Sequence, residues 1–219
     1  MSENKYHRWQ MRNRLREFLI AASRQSRSEM RSSMKIGILA VQGAFAEHEQ
    51  MLEQLGAEYI ELRKGEDVRQ SYDGLILPGG ESTVQGKLMR ELDMFDTIQS
   101  QIKNGMPVLA TCAGAILLAR QLSNDAATHL ATLPAVVRRN AYGRQLGSFS
   151  VDEQIEGIGT FPMRFIRAPY IEKALDDTKV LAKVDGNIVM VENKNQLAMS
   201  FHPELTSDTR IHEMFLRKI

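Results

Sequence analysis

The rhythm of apolar and polar positions changes along the chain. KIGILAV (35–41) is a short unbroken apolar run, the pattern of a strand buried on both faces. QGAFAEHEQMLEQLG (42–56) follows, with Phe45, His48, Leu52 and Leu55 at helical spacing and Gly56 as a stop. EYIEL (58–62) predicts a second strand, and DGLILP (73–78) a third, ended by Pro-Gly-Gly. Residues 84–103 carry a helical pattern broken near Leu92–Asp93. PVLAT (107–111) predicts a fourth strand and AGAILLARQL (113–122) a helix after it. Strand and helix alternating at this spacing predict βαβ units around a mostly parallel sheet. Beyond about residue 133 the rhythm shortens. VVRRN, GSFSV, FPMRFI, KVLAKV, NIVMVEN and QLAMSF all read as strands with few helices between them, and DTRIHEMFLRKI (208–219) predicts a closing helix. There is no repeat, low-complexity tract or linker after Met34, so residues 34–219 read as one domain.

Residues 1–33 break this pattern. They carry eight Lys/Arg against three Asp/Glu, a balance of +5, and their longest apolar run is FLIAA. That run is too short for the core of a secretory signal. Met34 stands directly before the first strand. The leader therefore reads as a basic extension, disordered or weakly helical. Trp9, Leu15, Phe18, Leu19 and Ile20 are also compatible with one face of an amphipathic helix.

Composition narrows the function classes. The chain of 219 residues has 43% hydrophobic and 25% charged residues, an ordinary globular balance. The 186 residues after the leader carry 20 Lys/Arg against 24 Asp/Glu, which leaves no electrostatic footprint for nucleic acid. No apolar run reaches the roughly 20 residues that span a bilayer. A single cysteine excludes an intrachain disulfide framework and fits a reducing compartment, so a cytoplasmic location is expected. No histidine or cysteine pair stands at metal-ligand spacing, so neither a metal nor a cofactor is expected.

That one cysteine, Cys112, falls between the predicted strand 107–111 and the predicted helix after it. Ligands in open α/β sheets bind at this edge, and a thiol at a helix N-terminus meets the positive end of the dipole. Thr111, Ala113 and Gly114 around it are small and leave room for a substrate. The alternative is a buried structural thiol. A nucleophilic cysteine needs a base, and the base needs an orienter. Of five histidines, His202 is distinctive: it ends the strand QLAMSF and precedes Pro203 and Glu204. In extended chain, residues i and i+2 share a side, so Glu204 can hold His202. LPGGEST (77–83) closes another strand with consecutive glycines. Their amides can turn toward a ligand, so Gly80 and the amide after the nucleophile, Ala113, are the candidate oxyanion donors.

Six stretches carry a resemblance to a known family: GILAVQGAFAEH (37–48), LILPGGEST (75–83), TCAGAILLA (111–119), RRNAYGRQ (138–145), FIRAP (165–169) and SFHPEL (200–205). In this order they resemble the class I glutamine amidotransferases, and most closely the glutaminase subunits of pyridoxal 5′-phosphate synthase. The resemblance spans residues 34–219 and leaves the leader outside. It implies a three-layer α/β sandwich of flavodoxin-like type with a mostly parallel central sheet. It implies hydrolysis of glutamine to glutamate and ammonia by Cys112, His202 and Glu204. It also implies glutamine contacts from Gly80, Glu81, Ser82, Arg139, Ile166 and Arg167. The implied partner is a (β/α)₈-barrel synthase subunit assembled as a dodecamer, which receives the ammonia through a protein interior. The family's elbow usually reads Gly-Thr-Cys-Ala-Gly, and here position 110 is Ala. Late in a strand, where φ is negative, alanine is unstrained.

Two other classes fit part of this pattern. A cysteine hydrolase or peptidase on a related fold shares Cys112 and His202 but gives no reason for GGES, RRNAYGRQ and FIRAP together. A non-catalytic homologue gives no reason for an intact Cys–His–Glu set.

Overall fold

The computed structural model describes residues 33–139 and 147–219, together with Arg16. The expectation for the leader therefore lies outside the described residues, apart from Arg16 and Ser33, as does most of RRNAYGRQ.

Residues 35–111 form the elements their pattern predicts. Strands β1 (Lys35–Leu39), β2 (Glu58–Leu62), β3 (Gly74–Leu77) and β4 (Val108–Thr111) lie in the order β2-β1-β3-β4, all parallel. Helices α1 (Phe45–Leu55), α2 (Ser82–Glu91) and α3 (Phe95–Lys103) provide the crossovers. Gly56 stops α1 in the left-handed region at φ 70°. The break between α2 and α3 falls at Leu92–Met94, where Asp93 has φ 56°.

The expectation of a mostly parallel sheet is corrected by the later strands. β12 (Gln196–Met199) extends the parallel run on the far side of β4. Beyond it β11 (Asn187–Asn193), β9 (Tyr170–Ala174) and β6 (Leu133–Arg138) pair antiparallel in succession. β10 (Lys179–Val184) also joins β11 antiparallel, and β7 (Ser148–Ile155) with β8 (Gly159–Ile166) forms a separate hairpin. The sheet is therefore mixed. The reason is connection length. Asp185 and Gly186, both at positive φ, are all that separate β10 from β11. A two-residue loop makes a hairpin, whereas a parallel crossover needs a dozen residues or more.

The helix predicted over 113–122 is also shorter than expected. α4 covers Ala113–Leu118 only, and β5 (Ala119–Leu122) follows in parallel with β6. Ala119 and Leu122 are buried while Arg120 and Gln121 face out. Ladder pairing with β6 overrides the helical pattern of these four residues. α5 (Arg210–Leu216) closes the chain.

Alternation along the strands places side chains on two faces. Leu75 and Leu77 enter one core with Met89, Ile98, Ile102 and Leu117, beneath α2, α3 and α4. Ile76 enters the other with Leu52, Phe215, Phe161 and Phe165, beneath α1, α5 and the β7–β8 hairpin. The sheet is thus covered on both sides, and its five mutually parallel strands β1, β2, β3, β4 and β12 point their carboxyl ends at one edge.

Candidate active site

The nucleophile candidate stands at that edge. β4 pairs with β12 so that Thr111 lies opposite Met199, and the Cys112 N–H donates to the Met199 carbonyl at 2.8 Å. The register thereby brings the ends of the two strands together, with Cys112 following one and His202 the other. Cys112 has φ 47° and ψ −100°, a conformation that L residues seldom adopt, and it is followed at once by α4. Ala110 lies in β4 and is not among the residues at positive φ, so the strain of the turn is carried by Cys112 itself. Gly114 is required for a close approach: a Cβ there would meet the Leu77 carbonyl oxygen at 2.1 Å.

His202 and Glu204 meet as expected, for a different geometric reason. His202 Nδ1 donates to Glu204 Oε1 at 2.7 Å. The chain between them is a 3₁₀ turn (Pro203–Leu205) and not extended, so the carboxylate folds back under the ring. The Glu204 side chain is fully buried. The imidazole lies against Gly79, where a Cβ would come within 2.2 Å of His202 Cε1. Burial works against the imidazolium, but the neighbouring Cys112 and Glu204 outweigh it and raise the His202 pKa from 6.5 to about 10. At neutral pH the ring is therefore held as the imidazolium, with its Nδ1–H on the Glu204 carboxylate.

The glycine loop after β3 is braced by Gln42, Gln85 and Thr111, to which the sequence assigns no part in holding the loop. Gly79 N–H donates to Thr111 Oγ1 at 3.0 Å, and Glu81 N–H to Gln42 Oε1 at 2.7 Å. Gln85 Nε2 donates to the carbonyls of Gln42 and Pro78, and Ala44 N–H to the Gly79 carbonyl. The Gly80 amide, between two committed neighbours, has no acceptor among the described residues. The signal for Gln42 and Gln85 is faint: one follows the first strand, and the other is a polar residue on the buried side of α2.

A cleft of about 720 Å³ opens over these groups. Cys112, His202, Gly80, Glu81, Ser82, Arg139, Ile166 and Arg167 line it, so eight of the ten predicted site residues converge there. Glu204 and Ala113 do not line it: one is buried behind His202, the other beneath Cys112. Arg139 is neither free nor simply solvated. Its Nη1 donates to Asp125 at 2.7 Å, and its Nη2 donates to Thr83 Oγ1 at 2.9 Å and Glu81 at 3.3 Å. It therefore braces the start of α2 against the 123–139 segment. Arg167 has φ 43°, and its N–H donates to the Gly147 carbonyl at 2.7 Å. The carbonyl of Ile166 faces Cys112 Sγ at 3.9 Å. Among the described residues no cluster of three or more His, Cys, Asp or Glu is placed to hold a metal ion, and no helix is long and apolar enough to cross a membrane.

Comparison with known proteins places this architecture. A crystal structure of a glutamine amidotransferase superposes with a TM-score of 0.79 at 43% identity, covering 84% of this chain and 97% of that one. The structure of PurLQS from Thermotoga maritima, at a TM-score of 0.57 and 18% identity, shares the fold. The pyridoxal 5′-phosphate synthase subunit PdxT of Desulfitobacterium hafniense (strain DSM 10664 / DCB-2) is 62% identical over 186 residues, 85% of this chain and 94% of that protein. The subunit of the same name from Streptococcus pneumoniae (strain CGSP14) is 52% identical over 186 residues, 84% of this chain and 96% of that protein. Residues 38–219 match the SNO glutamine amidotransferase family, and the chain belongs to it.

Proposed function

We propose that this protein hydrolyses L-glutamine to L-glutamate and ammonia through Cys112, His202 and Glu204, and that the ammonia serves pyridoxal 5′-phosphate synthesis on a partner synthase subunit. The observation that carries the reading is the strained turn that sets Cys112 into the same cleft as His202, whose ring is held from behind by Glu204. His202 takes up the thiol proton, and the sulfur then attacks the side-chain amide carbon of glutamine beside the resulting imidazolium. The oxygen of the tetrahedral intermediate is received by the amides of Gly80 and Ala113. His202 returns the proton to the leaving nitrogen and ammonia departs. Water, activated by the same ring, then cleaves the thioester to glutamate. Glu204 stabilises the imidazolium that forms twice in this cycle.

Gly80, Glu81, Ser82, Arg139, Ile166 and Arg167 form the glutamine-binding wall in this proposal. Support comes from their place in the cleft and, for Arg167, from the fit of an arginine fork to an α-carboxylate. The partner is proposed from the names of the relatives. It is a (β/α)₈-barrel synthase subunit, in a large hetero-oligomer on a synthase dodecamer, with the ammonia kept from bulk water between the two proteins. The test is ammonia release from glutamine with and without the cognate synthase subunit, for the native protein and for Cys112→Ala. The native protein should turn over. The variant should fold, and lose both turnover and labelling by an electrophilic glutamine analogue, a loss of many orders of magnitude in rate. Full activity in folded Cys112→Ala would end this reading.

A further inference from the structure

Beneath the cleft lies a row of buried polar groups that this cycle does not use. His48, on α1, is fully buried. Its Nε2 lies 3.3 Å from Thr111 Oγ1 and 3.6 Å from Glu204 Oε2. Its Nδ1 lies 2.9 Å from Nε2 of His212, which is fully buried on α5. Thr111 Oγ1 is also the atom that receives the Gly79 N–H. One imidazole thus stands against both the carboxylate that holds His202 and the residue that holds the glycine loop.

The proton positions are fixed by two atoms without partners. Glu204 Oε2 and His212 Nδ1 have no hydrogen-bond partner among the described residues. Both rings are neutral: burial, then the neighbouring His212 and His202, push the His48 pKa well below 6.5, and burial brings His212 down to about 4. A neutral imidazole carries one N–H. With that proton on His48 Nδ1, a lone pair faces the Glu204 carboxylate, and His212 is left with a buried N–H that has no acceptor. With the proton on His48 Nε2, an N–H faces Thr111 and Glu204. His212 Nε2 then donates to His48 Nδ1, and only a lone pair is left over. The first arrangement lets the Thr111 hydroxyl donate to His48 Nε2, but it orphans the His212 N–H and sets a lone pair against an unsolvated carboxylate oxygen, so the second is the cheaper.

We infer that His48, as the Nε2–H tautomer seated on His212, is a positioning residue that holds Glu204 in place behind His202 and ties it through Thr111 to the glycine loop. The inference rests on the proposed glutaminase activity. The titratable groups facing Glu204 are His202 from its own turn and His48 from α1. Cys112 stands beyond His202, and His212 on α5 beyond His48. Without the His48 N–H, Glu204 Oε2 is a buried carboxylate oxygen with no donor near it, and nothing holds the carboxylate in its place behind His202.

The test uses the full chain with its synthase partner and ¹⁵N spectroscopy of the histidine rings. In the native protein His48 should be neutral with its proton on Nε2 from about pH 6 to 9. His48→Leu should lower kcat about tenfold or more with little change in KM. His48→Gln, which keeps an N–H donor, should recover most of the rate. If His48→Leu does not fold, the ring spectrum and the His48→Gln rate still decide. A His48 proton on Nδ1, a charged His48 ring, or a native kcat in His48→Leu would overturn the inference. A native protein that releases no ammonia with its synthase would instead overturn the glutaminase reading, while the ring spectrum would still report the tautomer.

Discussion

The sheet differs on the two sides of β12. From β2 to β12 the strands are parallel, so every carboxyl end opens on the same edge. Three of those ends carry the residues of the proposed chemistry: the glycine loop after β3, Cys112 after β4 and His202 after β12. From β11 to β6 the strands alternate in direction, and strand ends are shared between opposite edges. The residues that reach the cleft beyond β12, Arg139 after β6 with Ile166 and Arg167 at the end of the β7–β8 hairpin, form its wall. Parallel strands concentrate reactive groups and free amides at one place. The antiparallel part supplies shape and charge around them. If that division is right, damage on the parallel side should fall on turnover and damage on the other side on binding.

Glu204→Gln should show the largest effect short of removing the nucleophile. The amide keeps the shape but loses the charge that supports the imidazolium, so kcat should fall about a hundredfold or more while KM changes little. A large rise in KM with native kcat would place Glu204 against the substrate and break the comparison. Arg139→Ala should do the reverse and raise KM about tenfold with kcat within a few-fold of native. A loss of kcat as deep as that of Glu204→Gln would show that the wall takes part in the chemistry.

A third prediction concerns stability beneath the parallel half. The pKa of His212 is depressed to about 4 by burial, so between 4 and 6.5 the unfolded chain binds the proton that the folded chain refuses. The stabilisation is complete above 6.5 and is lost as pH falls toward 4, to the extent of about 3 kcal/mol. Denaturant unfolding of the native protein and of His212→Gln across this range should show a shallower pH slope in the variant. Equal slopes would mean that His212 titrates normally. The smallest effect is expected from the leader. A chain starting at Met34 retains the matched residues 38–219 and all of β1, and should keep its melting temperature and its ammonia release with the synthase present. A clear drop in either would make the basic extension a working part.

Much of the parallel half is legible in the sequence, because a buried strand followed by an amphipathic helix writes two distinct periods into the chain. KIGILAV, LILP and VLAT sit where their apolar runs place them. Cys112 and His202 are legible because a lone cysteine between strand and helix, and a histidine ending a strand, are rare enough to notice. The antiparallel part reads as strands, but its pairing does not show. The pattern gives no sign of β9 and makes helix of the four residues of β5. A strand of four or five residues has too few positions to declare a period, and its identity comes from its neighbour. His48 looks like any residue on the inner face of a helix, since nothing local marks a partner 156 or 164 positions away.

The order of residues determined the elements of the parallel half and the place of Cys112 between strand and helix, because these depend on sterics and spacing within a few positions. Only tertiary structure decided the direction of the later strands, the commitment of Arg139 to Asp125, Glu81 and Thr83, and the meeting of His48 with Glu204, Thr111 and His212. Those depend on which distant segments share a dry interior, where a polar group must find a partner, and that partner is chosen by packing and not by proximity in the chain.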